Sequence, residues 1–242
     1  MFPIGDDDSD RTIQPIVNYV FIGINILVFV LLQGLGGNDA FTYAFSLVPK
    51  EVMTGVDITG VQVIRDSFGH TGEIHHYATP LPVYFNFLTS MFMHGSIAHI
   101  FGNMLFLWIF GDNLENALGH IRYAIFYIVC GFAAAIAQII MGPDSIIPML
   151  GASGAISGVL GGYVLLYPRK QVRAIIFNFA TTVPAFVAIG IWIAYQLVLG
   201  YLTPSEGGGV AYAAHIGGFV TGVVLIKLFA IGRGPQIQRA GV

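Results

Sequence analysis

The stretch FMHGSIAHIFGNMLFLWIFGDNLE, residues 92–115, joins a long apolar run to polar side chains near its beginning. A helix that crosses the hydrocarbon core of a bilayer needs about 20 apolar residues, so residues 92–110 predict a transmembrane span. His94, His99 and Asn103 lie in or near the start of this span. Because ionisable side chains are costly inside a membrane, they mark a candidate functional site.

The composition of the whole chain agrees with a membrane protein. Of 242 residues, 55% are hydrophobic and 10% are charged, and the mean hydropathy is +0.76. Soluble domains carry about 25% charged residues, so lipid must surround much of this surface. The net charge of −3 and the lack of a basic stripe exclude a nucleic-acid partner.

Five further apolar stretches complete a predicted all-α bundle of six transmembrane helices in a single domain, residues 1–242. The spans are expected at about 15–33, 92–110, 121–141, 152–167, 174–199 and 211–231. Residues 1–14 are expected to be a short cytoplasmic tail. Residues 34–91 form a long outer loop, in which we expect short helices lying in the membrane interface.

Basic residues set the predicted orientation. Eight of the ten Lys and Arg residues fall on the side that holds both termini, whereas Lys50 and Arg65 fall on the other. The positive-inside rule therefore places both termini in the cytoplasm. The beginning of the chain lacks the features of a cleaved signal peptide, and no organelle address is visible. These features predict a prokaryotic plasma membrane.

Small residues recur at every fourth position in two of the spans: Gly154, Gly158 and Gly162, and Ala214, Gly218 and Gly222. Such faces allow two helices to approach until their backbones nearly touch. Ser153 begins the first of these spans and His215 the other, both on the predicted outer side. The spacing therefore predicts that the Ser153 hydroxyl lies within reach of the His215 imidazole.

These residue types suit acyl transfer. Serine needs an adjacent base to take its proton, and histidine is the usual base. The negative oxygen that forms on an attacked carbonyl needs hydrogen-bond donors. His99 and Asn103, four residues apart on one helical face, are candidates, together with the backbone N–H of Ser153. Spans three to six contain no Asp or Glu, so the pattern predicts a catalytic dyad.

Two other chemistries are less well supported. The string GASGA has Ala155 where the α/β-hydrolase nucleophile motif has its second glycine. His94 and His99 are five residues apart, which differs from the zinc-binding His-Glu-x-x-His spacing. The outer loop contains His70, His75 and His76 with Glu73, which we interpret as a solvated loop. We expect no metal and no cofactor.

Three motifs together resemble the rhomboid intramembrane serine proteases. Residues 92–115 are similar to the second span of that family, GASGAISG (151–158) to its nucleophile motif, and AHIGGFVTG (214–222) to its histidine helix. The resemblance implies that Ser153 is the nucleophile, His215 the general base, and His99 and Asn103 the oxyanion-binding residues. His94 matches a further histidine of the family, and Glu115 a structural position.

By the same resemblance, the substrates are transmembrane proteins in the bilayer, cut through an acyl-enzyme near the outer end of their helix. Span five and the loop TPSEGGG (203–209) look like a lateral gate and lid. Some relatives stack an aromatic ring on the histidine from the position that Ser157 occupies here. We therefore expect His215 to be held either less firmly or by another ring, such as Tyr212 or Phe219. The oligomeric state is left open.

Two other functions compete with this interpretation. A rhomboid-like pseudoenzyme would bind membrane proteins without cutting them, but such relatives typically lose the serine or the histidine. A transporter would favour paired broken helices and a carboxylate at mid-membrane. The sequence has neither of these features.

Overall fold

The computed structural model describes residues 2–65, 71–176, 179–202 and 210–233. Its α-helices are α1 (Ile16–Leu27), α2 (Asp39–Ala44), α3 (Pro49–Thr54), α4 (Asn86–Thr89), α5 (Ile97–Leu118), α6 (His120–Met141), α7 (Ser153–Leu166), α8 (Ala185–Leu202) and α9 (Tyr212–Phe229). Its strands are β1 (Phe2–Asp6), β2 (Gly60–Arg65), β3 (Thr71–His76), β4 (Gln171–Ile176) and β5 (Phe179–Pro184). A π-helical turn, Val28–Leu32, continues α1.

Helices α5, α6, α8 and α9 are long and apolar enough to cross a membrane. Helix α1 with its π turn and helix α7 are apolar but shorter. The helices begin and end where local chemistry requires: α6 stops before Gly142-Pro143, and α7 stops before Pro168, which cannot continue a helix. Over the described residues the chain is therefore mostly helical, with four membrane-capable helices, and the six-span arrangement stays a prediction.

The second predicted span is displaced along the chain. Helix α5 begins at Ile97, not at residue 92, because Ser96 caps it by accepting a hydrogen bond from the His99 backbone N–H at 3.1 Å. His94 therefore lies before the helix, in a break that follows a short 3-10 turn, Ser90–Phe92. The helix also continues two turns past residue 110, to Leu118, since the polar residues of its last turns are buried and hydrogen-bonded.

The all-α prediction is wrong in two places, because strands lie at the beginning of the predicted fifth span and within the predicted N-terminal tail. Strands β4 and β5 pair in antiparallel fashion, so helix α8 begins at Ala185 rather than near residue 174. Residues 171–184 are apolar but rich in β-branched side chains, which favour a strand. Strand β1 pairs with β4, so the first residues are part of a three-stranded sheet and not a free tail.

The segment between α1 and α5 contains the short helices that the sequence predicts. Helices α2, α3 and α4 lie in it, together with a hairpin of β2 and β3 that the sequence analysis did not foresee. A backbone bridge between Leu47 and Met149 attaches this segment to the loop before α7. The segment is therefore packed onto the bundle at the end where Ser153 lies.

Helix α7 packs against α5, α6 and α9, and its glycines allow the closest approach. A methyl group added at Gly218 of α9 would overlap the carbonyl oxygen of Gly154, and one at Gly222 would overlap that of Gly158. The predicted close contact between the two small-residue faces is confirmed. This contact brings the beginning of α7 against the beginning of α9.

Buried polar groups hold the opposite end of the bundle, which we call the Glu115 end. The Glu115 carboxylate is buried and accepts hydrogen bonds from the backbone N–H groups of Val17 and Asn18, at 3.0 and 2.7 Å. It thereby satisfies free donors at the start of α1 and places a negative charge there. The Tyr163 hydroxyl donates to the Asp6 carboxyl at 2.5 Å, which ties β1 to α7.

Candidate active site

Ser153 is the first residue of helix α7 and faces a cavity among the helices. The preceding loop turns sharply at Gly151, whose φ of +128° suits glycine. The backbone carbonyl of Ser153 accepts a hydrogen bond from the Ser157 hydroxyl at 2.6 Å. The turn and the helix start together orient the Ser153 side chain toward α9.

His215 lies in the first turn of α9 and contacts Ser153 directly. Its Nε2 atom is 2.8 Å from the Ser153 Oγ atom, which is hydrogen-bond distance. The predicted approach of these two side chains is therefore present in the structure. An imidazole at this distance can take the hydroxyl proton of the serine.

The other nitrogen of His215 has a partner that the sequence analysis missed. The Nδ1 atom is 2.7 Å from Oε1 of Gln196 on helix α8. Gln196 is buried, with 6% of its surface exposed. Only a carboxylate was expected to orient the histidine. The feature that could have revealed Gln196 is its position as a lone polar residue in the apolar run IWIAYQLVLG.

An aromatic ring lies near His215, but it is neither Tyr212 nor Phe219. The ring of Trp192, one turn before Gln196, is 6.1 Å from the His215 ring between centroids, with 38° between their planes. Trp192 also packs against Phe219 at 6.5 Å and against Phe106 of α5 at 6.4 Å. The ring that accompanies the histidine thus comes from α8.

His99 lies on the other side of Ser153. A methyl group placed on Gly151 would come 2.8 Å from Nε2 of His99 and 3.6 Å from Oγ of Ser153. The His99 ring therefore leaves no room for a side chain at position 151, and His99 and Ser153 both lie close to this glycine. His99, Asn103, Ser153 and His215 all line the same cavity, which has a volume of about 1310 Å³.

Asn103 is oriented by a buried histidine. Its Nδ2 atom is 2.9 Å from Nε2 of His94, so one amide N–H donates to that ring. The backbone of His94 is held in turn by the side-chain amide of Gln33, through two hydrogen bonds of 2.9 Å. One N–H of Asn103 is thus engaged, and the second has no acceptor among the residues that the structure describes.

The loop histidines do not assemble into a metal site among the residues that the structure describes. His75 and Glu73 are exposed and 4.0 Å apart, while His76 is buried. In the described part of the chain, the one group of three close ligand side chains is Asp6, Asp8 and Asp112, at the Glu115 end. His70 and the predicted lid, residues 203–209, lie outside the described residues.

The fold and the site together define a class: a helical membrane protein with a serine–histidine pair in a cavity between its helices. Residues 82–231 match the family model of the Rhomboid domain, which covers more than half of the chain. The chain therefore belongs to the rhomboid family.

Individual relatives come from a plant, a bacterium and a yeast. The chain is 33% identical to RHOMBOID-like protein 4 of Arabidopsis thaliana over 57% of this chain and 32% of that protein. It is 29% identical to Rhomboid protease GluP of Bacillus subtilis, over 86% of this chain and 34% of that protein. It is 28% identical to Rhomboid protein 1, mitochondrial, of Saccharomyces cerevisiae, over 92% and 57% respectively. The chain thus spans between about a third and somewhat over half of these relatives.

Proposed function

We propose that this protein is an intramembrane serine endopeptidase that hydrolyses peptide bonds of membrane-anchored proteins near the outer end of their transmembrane helix. The observation that carries the proposal is the 2.8 Å distance between Ser153 Oγ and His215 Nε2 inside a cavity of the bundle. A relative named as a rhomboid protease supports the same activity.

The proposed reaction begins when His215 Nε2 takes the Ser153 proton and Oγ attacks the carbonyl carbon of the scissile bond. The protonated imidazole then gives that proton to the leaving amine as the C–N bond breaks, which leaves an acyl-enzyme on Ser153. Water, deprotonated by the same imidazole, hydrolyses the ester and restores the serine. In each half of the reaction His215 takes one proton and gives it up again, to the leaving amine in the first half and to the Ser153 oxygen in the second.

We propose that the oxyanion of the tetrahedral intermediate is bound by His99, by the free amide N–H of Asn103 and by the backbone N–H of Ser153. The Ser153 N–H lies at a helix beginning, where backbone donors are free and the helix dipole favours negative charge. The bond from Asn103 to His94 fixes the amide before substrate arrives. Donors held in advance in this way stabilise the transition state most.

For the arrangement in the membrane, we propose a single domain over residues 1–242 with six spans and cytoplasmic termini. The distribution of basic residues supports this orientation. The relatives include plant and mitochondrial proteins, so the comparisons do not support the prediction of a prokaryotic plasma membrane. We therefore propose an integral membrane location without assigning the organelle.

The test is cleavage of single-span substrates in liposomes by the parent protein and by Ser153→Ala and His215→Ala. We expect the parent to cut and both variants to be inactive, with unchanged thermal unfolding. Ser46→Ala, at a buried serine outside the cavity lining, is the matched control and should cut like the parent. Cleavage by Ser153→Ala would contradict the mechanism, and an inactive parent would favour a pseudoenzyme.

A further inference from the structure

Helix α8 contacts the bundle unevenly along its length. Its buried residues are Ala185, Ala188, Ile189 and Gln196, so beyond Ile189 the glutamine alone is buried. Tyr195 and Leu197, on either side of it, are exposed, at 59% and 51%. A glutamine is an unfavourable residue to bury unless its amide is hydrogen-bonded. The bond to His215 is therefore the feature that accounts for its position.

We propose that Gln196 is a positioning residue that holds His215 in its productive tautomer and makes that tautomer depend on the docking of helix α8. The proposal rests on the proposed function, in which His215 Nε2 must accept the Ser153 proton. Gln196 lines the same cavity, but its proposed role is the hydrogen bond to His215 and not a contact with the reacting atoms.

The chemistry of the imidazole explains why a partner for Nδ1 matters. A neutral imidazole carries one proton, on either nitrogen, and the hydrogen bond of one nitrogen sets the state of the other. The Gln196 oxygen accepts a hydrogen bond from Nδ1–H, so Nε2 keeps its lone pair toward Ser153. With the proton on Nε2 instead, the ring would be unable to take a proton from the serine.

An amide differs from a carboxylate in one respect that suits this site. An ionised side chain within an apolar helix bundle carries a large desolvation cost. The amide oxygen selects the same tautomer without adding a charge. The absence of Asp and Glu from spans three to six predicted a dyad with no orienting group. Gln196 supplies the hydrogen-bond acceptor that a carboxylate would otherwise provide.

Because Gln196 lies on α8, the orientation of the His215 ring depends on where α8 packs. Trp192 lies one turn earlier on the same face and packs near the His215 ring, and it also contacts Phe106 of α5. A shift of α8 by more than about 1 Å would stretch the Gln196–His215 bond beyond hydrogen-bond length. We therefore expect His215 to lose its preferred tautomer whenever α8 moves away from α9.

The test compares Gln196→Met, which keeps the length of the side chain but removes the acceptor, with Gln196→Glu, which keeps an acceptor. Leu197→Met, at the exposed neighbour, is the control. We expect Gln196→Met to lower kcat by about 10- to 100-fold, by analogy with the loss of the group that orients a metal-bound histidine, with KM little changed. Gln196→Glu should recover most of the loss, and Leu197→Met should behave like the parent.

A spectroscopic measurement separates orientation from simple packing. The ¹⁵N signals of the His215 ring in micelles should report a proton on Nδ1 in the parent and a mixture of tautomers in Gln196→Met. An unchanged kcat together with unchanged ring signals in Gln196→Met would overturn the proposal. If Gln196→Met does not fold, Gln196→Asn, whose oxygen is withdrawn by one methylene, takes its place with the same expectations.

The outcomes also separate this proposal from the proposed function. Labelling of Ser153 by a fluorophosphonate is measured on the parent first, and a parent that neither labels nor cuts contradicts the protease. The ring signals of the parent and of Gln196→Met then still decide the role of Gln196, because the tautomer does not depend on turnover. If the parent labels, and Gln196→Met labels equally fast with unchanged ring signals, only the proposed role of Gln196 is contradicted.

Discussion

Two buried asparagines lie toward opposite ends of helix α5, and their side chains differ in how many hydrogen bonds they make. At the Glu115 end, Asn113 donates to Asp6 at 2.8 Å and to Asp8 at 3.1 Å, and its amide oxygen accepts from Lys170 at 2.5 Å. Near Ser153, Asn103 has one side-chain partner in the described part of the chain, His94. The same side chain is thus fully engaged at one end and half engaged at the other.

The difference separates the groups that hold the bundle from the groups that are proposed to react. A buried polar group whose hydrogen bonds are all made rigidifies its surroundings. A donor that remains free beside a cavity is available to an intermediate that exists only during the reaction. Four predictions test this division, from the largest expected effect to the smallest.

The asparagine pair gives the sharpest test. We expect Asn103→Ala to lower kcat by about 10²–10³-fold, the usual effect of losing one oxyanion donor, with little change in thermal unfolding. Asn113→Ala should do the reverse, lowering the unfolding temperature while leaving the kcat of the folded protein near that of the parent. Equal losses of kcat in the two variants would remove the distinction between the ends.

Glu115→Ala is expected to produce the largest loss of stability. The substitution leaves the N–H groups of Val17 and Asn18 without their acceptor and removes the partner of His120, 2.5 Å away. Each buried donor left without its acceptor costs about 1–3 kcal/mol in free energy of unfolding. Chemical unfolding in detergent measures it, and Glu73→Ala, at an exposed carboxylate, should change little.

Gly218→Ala links the two ends, because this glycine contacts the backbone of Gly154 beside Ser153. The added methyl group would push α9 away from α7, and overpacking of this kind costs about 1–3 kcal/mol. We expect lower stability together with slower fluorophosphonate labelling of Ser153. Gly190→Ala on α8, where the added methyl group meets no neighbour within 4 Å, should lower neither quantity, because alanine favours a helix more than glycine does.

The smallest expected effect is a pH dependence at the Glu115 end. Burial raises the pKa of the Asp6 carboxyl to about 8, and the nearby Asp112 and Asp8 act in the same direction, while Tyr163 and Lys170 oppose it. Because the docked carboxyl binds its proton more tightly than the free one, docking of β1 is strongest at low pH. It should weaken as the pH rises through about 8.

Hydrogen exchange of the β1 amides at pH 6 and pH 9 measures this weakening, after correction for the intrinsic exchange rate. Asp6→Asn should make the protection of β1 independent of pH in this range. Asp7→Asn is the matched control, since Asp7 is exposed and its pKa is lowered by hydrogen bonds from Ser9. Retention of the pH dependence in Asp6→Asn would assign it to another group.

The sequence predicts some elements of this fold closely and others poorly, for physical reasons. Helices α6, α7 and α9 lie within about two residues of their predicted bounds, because long apolar runs end there at glycine or proline. Residues 174–184 were assigned to the fifth span because hydropathy does not distinguish an apolar strand from an apolar span. The pairing of β1 with β4 joins residues that are far apart in the chain, which no local pattern reveals.

In the candidate site, too, local sequence patterns reveal some residues, whereas others are known only from the packing of the helices. Ser153 and His215 were recognisable because small residues recur beside each of them and predict a helix contact. Gln196 was missed because a neutral amide in an apolar helix carries no charge to attract notice, and its partner is known only from the packing of α8 on α9. The break at His94 was missed because the span was bounded by hydropathy, although Gly95 and Ser96 form a helix-start signal.

The shortness of helix α7 has a consequence for the supply of water. Its 14 residues amount to about 21 Å at the rise of an α-helix, whereas a hydrocarbon core is about 30 Å thick. A column of solvent must therefore fill the cavity above Ser153 if water is to reach an acyl-enzyme there. The height of that column is set by the surrounding lipid, so liposomes with longer acyl chains are expected to slow the hydrolytic step more than the first attack.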